Sequence, residues 1–220
     1  MKFFPLSFLL LTIAFASAAQ TNYVQISTVK GNIIVMLYDE TPKHRDNFLK
    51  VIRNGTFKDM EFNRVIKGFV SQGGELDETI LDREKLHPSA PLARIAAEIK
   101  PEFYHKKGAL GAGRNDNPEK SSYLDQIYLV EGKKQTDAQL DLIETKTGRR
   151  FSAVQRHTYK TIGGTPGLDG DYTIFGEIVS GLSVAETINS VATQPNDRPR
   201  SPVGFKLHIL TKKEIRDLRH

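Results

Sequence analysis

Phe62-Asn63-Arg64-Val65-Ile66-Lys67-Gly68-Phe69-Val70-Ser71-Gln72-Gly73-Gly74 is the stretch on which the reading of this chain turns. Short apolar runs on either side of Lys67-Gly68 predict a strand, a turn and a second strand. Alternation would put Phe62, Arg64 and Ile66 on one face of the first strand. An arginine flanked by large apolar residues is seldom left there without a partner. It can pair with a buried carboxylate, carry its head out to water, or act on a ligand, and spacing alone favours the first two. Gly73-Gly74 marks a backbone conformation or a close approach that side chains would block.

Strands extend outward from this block. Tyr23 to Val29 and Asn32 to Tyr38 flank Lys30-Gly31 and read as a hairpin, with Val24, Ile26, Ile34 and Met36 facing inward. Thr41-Pro42 opens a helix, with Thr41 as its cap and Phe48, Val51 and Ile52 as its buried stripe. Asn54-Gly55 ends that helix, although Asn54-Gly55-Thr56 also matches a glycosylation sequon. Residues 75–94 read as a loop with one short helical piece. Ile127 to Val130, Tyr172 to Val179 and Phe205 to Leu210 are further strands. Ser183 to Glu186 has the pattern of a capping box.

The segment 131–160 differs in character. It is charged and helix-prone, with candidate capping boxes at Thr136 to Gln139 and Ser152 to Gln155. It reads as a helical insertion between two strands, and it could recruit a partner. The many short strands and few helices around it suggest a closed or sandwiched β architecture.

The first residues read as a routing signal. Lys2 precedes an apolar run from Phe3 through Phe15, and Ala16-Ser17-Ala18 has the look of a cleavage site. The run is shorter than the ~20 residues of a membrane span. The expectation is a signal peptide at 1–19 and one domain at 20–220, exported to the periplasm or secreted, with no membrane span after cleavage. With no cysteine in the chain, such a domain must fold on its core alone.

Composition and motifs remove several functions. The net charge of +5 comes from lysines and arginines scattered among acids, which argues against nucleic-acid binding. No G-x-S-x-G, H-E-x-x-H or P-loop occurs, so no metal and no cofactor are expected. His44, His105, His157 and His208 lie far apart, each read as a surface or packing residue.

The block around Arg64 resembles the hallmark run of the cyclophilins, roughly F-H-R-V-I-x-G-F-x-x-Q-G-G-D. Phe62, Arg64, Val65, Ile66, Gly68, Phe69, Gln72, Gly73 and Gly74 match it. The likeness continues through Pro42, Asn47 and Phe48, through Gly108-Ala109-Leu110 and Gln126-Ile127-Tyr128, and through Leu168-Asp169-Gly170 with Phe175-Gly176. It covers most of Tyr23 to Leu210 outside the insertion.

The resemblance implies a mainly β fold: a closed antiparallel eight-stranded barrel capped by helices. It also implies peptidyl-prolyl cis/trans isomerisation of proline-containing polypeptides, with Arg64 as the catalytic residue. Phe69, Val70, Tyr128 and Leu168 would hold the proline ring, and Gln72 would bond the substrate backbone and help orient Arg64. Gly113 and Arg114 would lie beside the peptide, Ala112 and Gln126 by a second pocket, and Tyr172 at the aromatic edge.

The chain departs from the family at Asn63, at Leu124-Asp125, at Ile127, and at Gly167, where Trp or His often borders the groove. Gly167 counts against tight binding of cyclosporin-like ligands. A non-catalytic peptide-binding or scaffold module on the same fold is the alternative function.

Overall fold

A computed structural model describes residues 22–90 and 92–218, so the expected signal peptide lies outside the described residues. The first strands are β1 (Asn22–Thr28) and β2 (Gly31–Leu37), followed by helix α1 (Pro42–Arg53). Next come β3 (Phe62–Ile66), β4 (Val70–Gly74), helix α2 (Asp77–Leu86), β5 (Arg94–Ile95), β6 (Ala109–Ala112), β7 (Ser122–Tyr123) and β8 (Gln126–Val130). The inserted helices are α3 (Asp137–Thr147) and α4 (Ala153–Thr161). A 3-10 turn at Pro166–Leu168, β9 (Ile174–Ser180), α5 (Leu182–Asn189), β10 (Phe205–Ile209) and α6 (Lys212–Asp217) follow among the described residues.

Eight strands form one antiparallel sheet in the order β10-β1-β2-β9-β6-β8-β4-β3. The closed barrel is corrected to an open half-barrel. Its edge strands β3 and β10 share no ladder, and their ends meet only at the isolated bridge between Glu61 and Gly204.

The concave face holds the main core. Val24, Ile26, Ile33, Val35 and Leu37 pack there with Phe48 and Leu49 of α1 and Ile188 of α5. A chain of ring contacts runs from Phe175 through Phe48, Phe57 and Phe205 to Phe62, with centroids 5.0–6.0 Å apart. On β2 the deepest residues are Ile33, Val35 and Leu37, not Ile34 and Met36. The antiparallel pairing of Val35 with Val24 and of Ile33 with Ile26 sets that face.

The two helices of the insertion carry the capping boxes read from sequence. Thr136 and Ser152 each accept the N3 amide, and Gln139 and Gln155 each bond back. A third box, Thr211 with Glu214, opens α6 and was equally legible as Thr-x-x-Glu. The expected box at Ser183 is absent, because the N-cap lies two residues earlier at Gly181, in the left-handed region at φ 83°. Glu186 instead takes a hydrogen bond from Lys107.

Helix α1 is capped from a distance. Thr41 makes no cap bond, and its hydroxyl turns to the Tyr38 carbonyl. The Lys43 and His44 amides donate to the two oxygens of Glu98, 3.1 and 3.0 Å away. The His44 ring bridges Glu98 to Ser122. Burial holds the His44 imidazole below its ordinary pKa despite the carboxylate beside it. At the other end Asn54 takes hydrogen bonds from the Thr56 amide and hydroxyl, consistent with a helix stop.

The Leu124-Asp125 departure leaves a titratable strain. Burial first, then the neighbouring Glu75 carboxylate, raises Asp125 from 3.8 to about 6, against the pull of Arg83. The folded pKa lies above the unfolded one, so this group favours folding below about pH 4. That contribution fades as pH rises through about 6. Asp125→Asn is therefore expected to add roughly 1 kcal/mol of stability at pH 7.5, reduced from the bare shift because the site is partly wet. Thermal unfolding should show the gain vanish at pH 4. A gain independent of pH would contradict this account.

Candidate functional site

Four strands bring the key side chains into one row on the convex face of the sheet. Arg64 on β3 pairs with Gln72 on β4. Gln72 pairs with Tyr128 on β8, and Tyr128 pairs with Gly111 on β6. Residues directly opposed across strands share a face, with neighbouring strands ~4.8 Å apart. Gly111 has no side chain, so the Tyr128 ring leans over it. A Cβ built on Gly111 would lie 2.1 Å from the ring.

The face of Arg64 differs from simple alternation. The ladder is irregular between Phe62 and Arg64, and Asn63 is buried there with its amide donating 2.6 Å to the Gly74 carbonyl. This bulge lets Phe62 and Val65 both enter the core, at 0% and 1% exposure, while Arg64 points outward. Arg64 does not share a face with Phe62. Its Nε lies 3.6 Å from the Asp197 carboxylate, with both side chains over two-fifths exposed. The contact is a loose surface pair, not an internal ion pair.

Above the row opens a cleft of about 350 Å³, lined by Arg64, Phe69, Val70, Gln72, Gly113, Arg114, Tyr128, Leu168 and Tyr172, with Asp77, Asn115 and Asp116. Val70 and Tyr128 belong to a second apolar cluster with Ala109, Val130 and Ile174, against which Phe69, Leu168 and Tyr172 pack. The wall at Arg114 is rigid. Its guanidinium donates to the carbonyls of Asp171 and Asn115, both at 2.7 Å, and lies 4.6 Å from the Tyr172 ring centroid. Neither Arg64 nor Gln72 makes a side-chain hydrogen bond among the described residues. Both line the cleft, Arg64 engaged only in its loose pair with Asp197, and no bond joins Gln72 to Arg64.

The floor is polar underneath. The Tyr128 hydroxyl lies 2.8 Å from His105 Nε2, and His105 Nδ1 lies 2.8 Å from Asp169. Asp169 also accepts the His105 amide and, at 2.6 Å, the Tyr159 hydroxyl. A neutral His105 with its proton on Nδ1 satisfies every contact, and Nε2 then accepts the Tyr128 proton. Burial, with Tyr172 and Asp169 nearby, raises the Tyr128 phenol well above its ordinary pKa, so it stays a neutral donor.

Nine of the eleven residues expected from sequence line the cleft, and two stand elsewhere. Ala112 is buried in the main core. Gln126 is 2% exposed and turned under the rim, where its amide donates to the Glu75 carbonyl and to Asp77 at 2.5 Å. Gly113 lies directly over it, and a Cβ there would meet Gln126 Oε1 at 1.9 Å. These bonds tie Gln126 to Glu75 and to Asp77 at the start of α2. Sequence reasoning missed Asp77, Asn115 and Asp116 on the rim, and Asp169 and His105 below the floor. The Leu168-Asp169-Gly170 match was the one signal pointing to Asp169.

No helix among the described residues is long and apolar enough to cross a membrane, and no metal-binding cluster occurs among them. Comparison with known proteins bears on the same architecture. The family model for "Cyclophilin type peptidyl-prolyl cis-trans isomerase/CLD" matches residues 23–207. A peptidyl-prolyl cis-trans isomerase of Schizosaccharomyces pombe is 28% identical over 181 residues, covering 82% of this chain and 93% of the relative. A cyclophilin-type isomerase of Cryptosporidium parvum shares the fold, with a TM-score of 0.62 at 20% identity over 87% of this chain and 99% of that one. The same protein solved in the presence of the dipeptide Ala-Pro gives a TM-score of 0.60, at 20% identity over 86% and 99%. With a family model spanning nearly all of the sheet and both walls of the cleft, the chain belongs to the cyclophilin-type peptidyl-prolyl cis-trans isomerases.

Proposed function

We propose that the cleft over the Arg64–Gln72–Tyr128 row is where this isomerase turns X-Pro bonds, and that Arg64 is its catalytic residue. Rotation about such a bond meets a barrier of ~20 kcal/mol, because partial double-bond character must be lost. No bond is made or broken, so catalysis needs only selective binding of the twisted amide. In that state the nitrogen turns pyramidal and gains a lone pair. A guanidinium donor aimed there, or at the adjoining carbonyl, stabilises the twisted form above either planar one. The single observation that supports this role is that Arg64 stands outward over an apolar hollow, held only by a loose surface pair with Asp197.

The other roles follow from position. Phe69, Val70, Tyr128 and Leu168 form an apolar seat of the right kind for a proline ring. Gln72 offers an amide to the substrate backbone. Gly113 presents backbone without a side chain, and Arg114 with Tyr172 forms a fixed wall. The reaction needs no cofactor and no metal. Exchange NMR on an X-Pro peptide tests the reading: the chain should raise the exchange rate above the buffer rate and shift the Phe69 and Tyr128 resonances.

The clients we propose are extended X-Pro segments of proteins outside the cytoplasm, periplasmic or secreted. The apolar run from Phe3 to Phe15 with Ala16-Ser17-Ala18 supports this. Fractionation of cells expressing the whole chain should find it trimmed near Ala19 and outside the cytoplasm.

Gly167 sits exposed at the rim, and a Cβ there would meet nothing within 4 Å. Gly167→Trp should therefore fit and close one side of the seat. The expected result is about a fivefold lower KM for an apolar X-Pro peptide, ~1 kcal/mol, with tighter cyclosporin-like binding. An unchanged KM would show that this edge does not meet the substrate.

A further inference from the structure

The inserted helices reach the floor of the cleft. Tyr159 on α4 is fully buried between Tyr104 and Phe151, with centroids 5.6 Å from each. Its hydroxyl donates 2.6 Å to Asp169. The other oxygen of Asp169 holds the His105 ring and amide, and His105 holds the Tyr128 hydroxyl. One carboxylate thus links the insertion to the seat through two directional hydrogen bonds. The rim is tied in parallel: Arg149, between α3 and α4, pairs with the Asp171 carboxylate, and the Asp171 carbonyl takes the Arg114 guanidinium.

We propose that Tyr159 is a positioning residue for isomerisation, acting through Asp169 and His105 to fix the Tyr128 ring in the proline seat; this rests on the cleft being the substrate site. Removing the Tyr159 hydroxyl leaves Asp169 with a vacant acceptor in a buried setting. The carboxylate and the His105 ring then gain freedom, and the Tyr128 ring loses the fixed acceptor that aligns it. A ring free to tilt seats the proline less well, and the twisted state suffers more than loose ground-state binding does.

A double-mutant cycle on the full chain tests this. Tyr159→Phe should lower kcat/KM about fivefold, mostly in kcat, with the circular dichroism spectrum unchanged. Tyr128→Phe removes the hydroxyl that donates to His105 while keeping the ring. In that background Tyr159→Phe should have no further effect on kcat/KM. Equal losses in both backgrounds would mean that Tyr159 serves stability alone and would overturn the proposal, as would full activity in the single variant. The Tyr128 ring resonances give a second readout, expected to shift and broaden in Tyr159→Phe. That readout does not need turnover. A chain that isomerises no peptide yet shows the ring response would refute the site and keep the linkage; an active chain with an unmoved Tyr128 ring would do the reverse.

Discussion

Arg64→Ala is expected to lower kcat/KM for an X-Pro peptide about a hundredfold to a thousandfold, or ~3–4 kcal/mol of transition-state stabilisation. The effect should fall on kcat more than on KM, because the lost hydrogen bond is strongest in the twisted amide. Stability should barely move. The side chain is nearly half exposed, and its one ion pair is long and wet. Arg64→Lys should recover little, since a compact ammonium cannot reproduce a planar fork of donors. Protease-coupled isomerisation and exchange NMR both read this. An Arg64→Ala protein as fast as wild type would remove Arg64 from the mechanism. A wild-type chain no faster than buffer would make the cleft a peptide-binding module instead.

Gly111→Ala should damage both the fold and the cleft. The new methyl would fall 2.1 Å from Cζ of Tyr128 and 2.4 Å from its hydroxyl. The ring must swing away, because the strands on either side of Gly111 are held by the sheet. Overpacking of this kind costs ~1–3 kcal/mol. The swing also strips His105 of the Tyr128 hydroxyl, leaving a buried ring nitrogen unpaired at a further ~1–3 kcal/mol. The expected sum of roughly 3 kcal/mol corresponds to about 6–12 °C in Tm for a domain of this size. Peptide binding should weaken together with stability. Combining Gly111→Ala with Tyr128→Ala should restore space, so the double variant loses less than the two singles added. Strict additivity would show that the methyl does not meet the ring.

What could be read from sequence was local. The strand, turn and strand from Phe62 to Gly74 appear as expected because short apolar runs and three glycines encode them within thirteen residues. The capping boxes of α3 and α4 were legible for the same reason, each being complete within four residues. The misreadings involve longer reach. The bulge at Asn63 depends on a bond to Gly74 across a strand pair, so alternation put Phe62 on the wrong face. Gln126 turned away because α2 supplies Asp77 from 49 residues away. The link from Tyr159 to Tyr128 passes through residues 105 and 169, and no single window of sequence contains it. Closure of the barrel followed from family likeness, while the edge strands β3 and β10 meet at one bridge only.

The remote cap on α1 bears on the order in which the chain can assemble. The amides at the start of that helix find their acceptor in Glu98, some 55 positions downstream. A nascent chain therefore carries an unsealed helix α1 until the segment around residue 98 has followed it out. Helices α3 and α4, closed by their own neighbours, have no such wait. Helix α1 is thus the element that must linger unfinished, its leading amides open until their acceptor has been made.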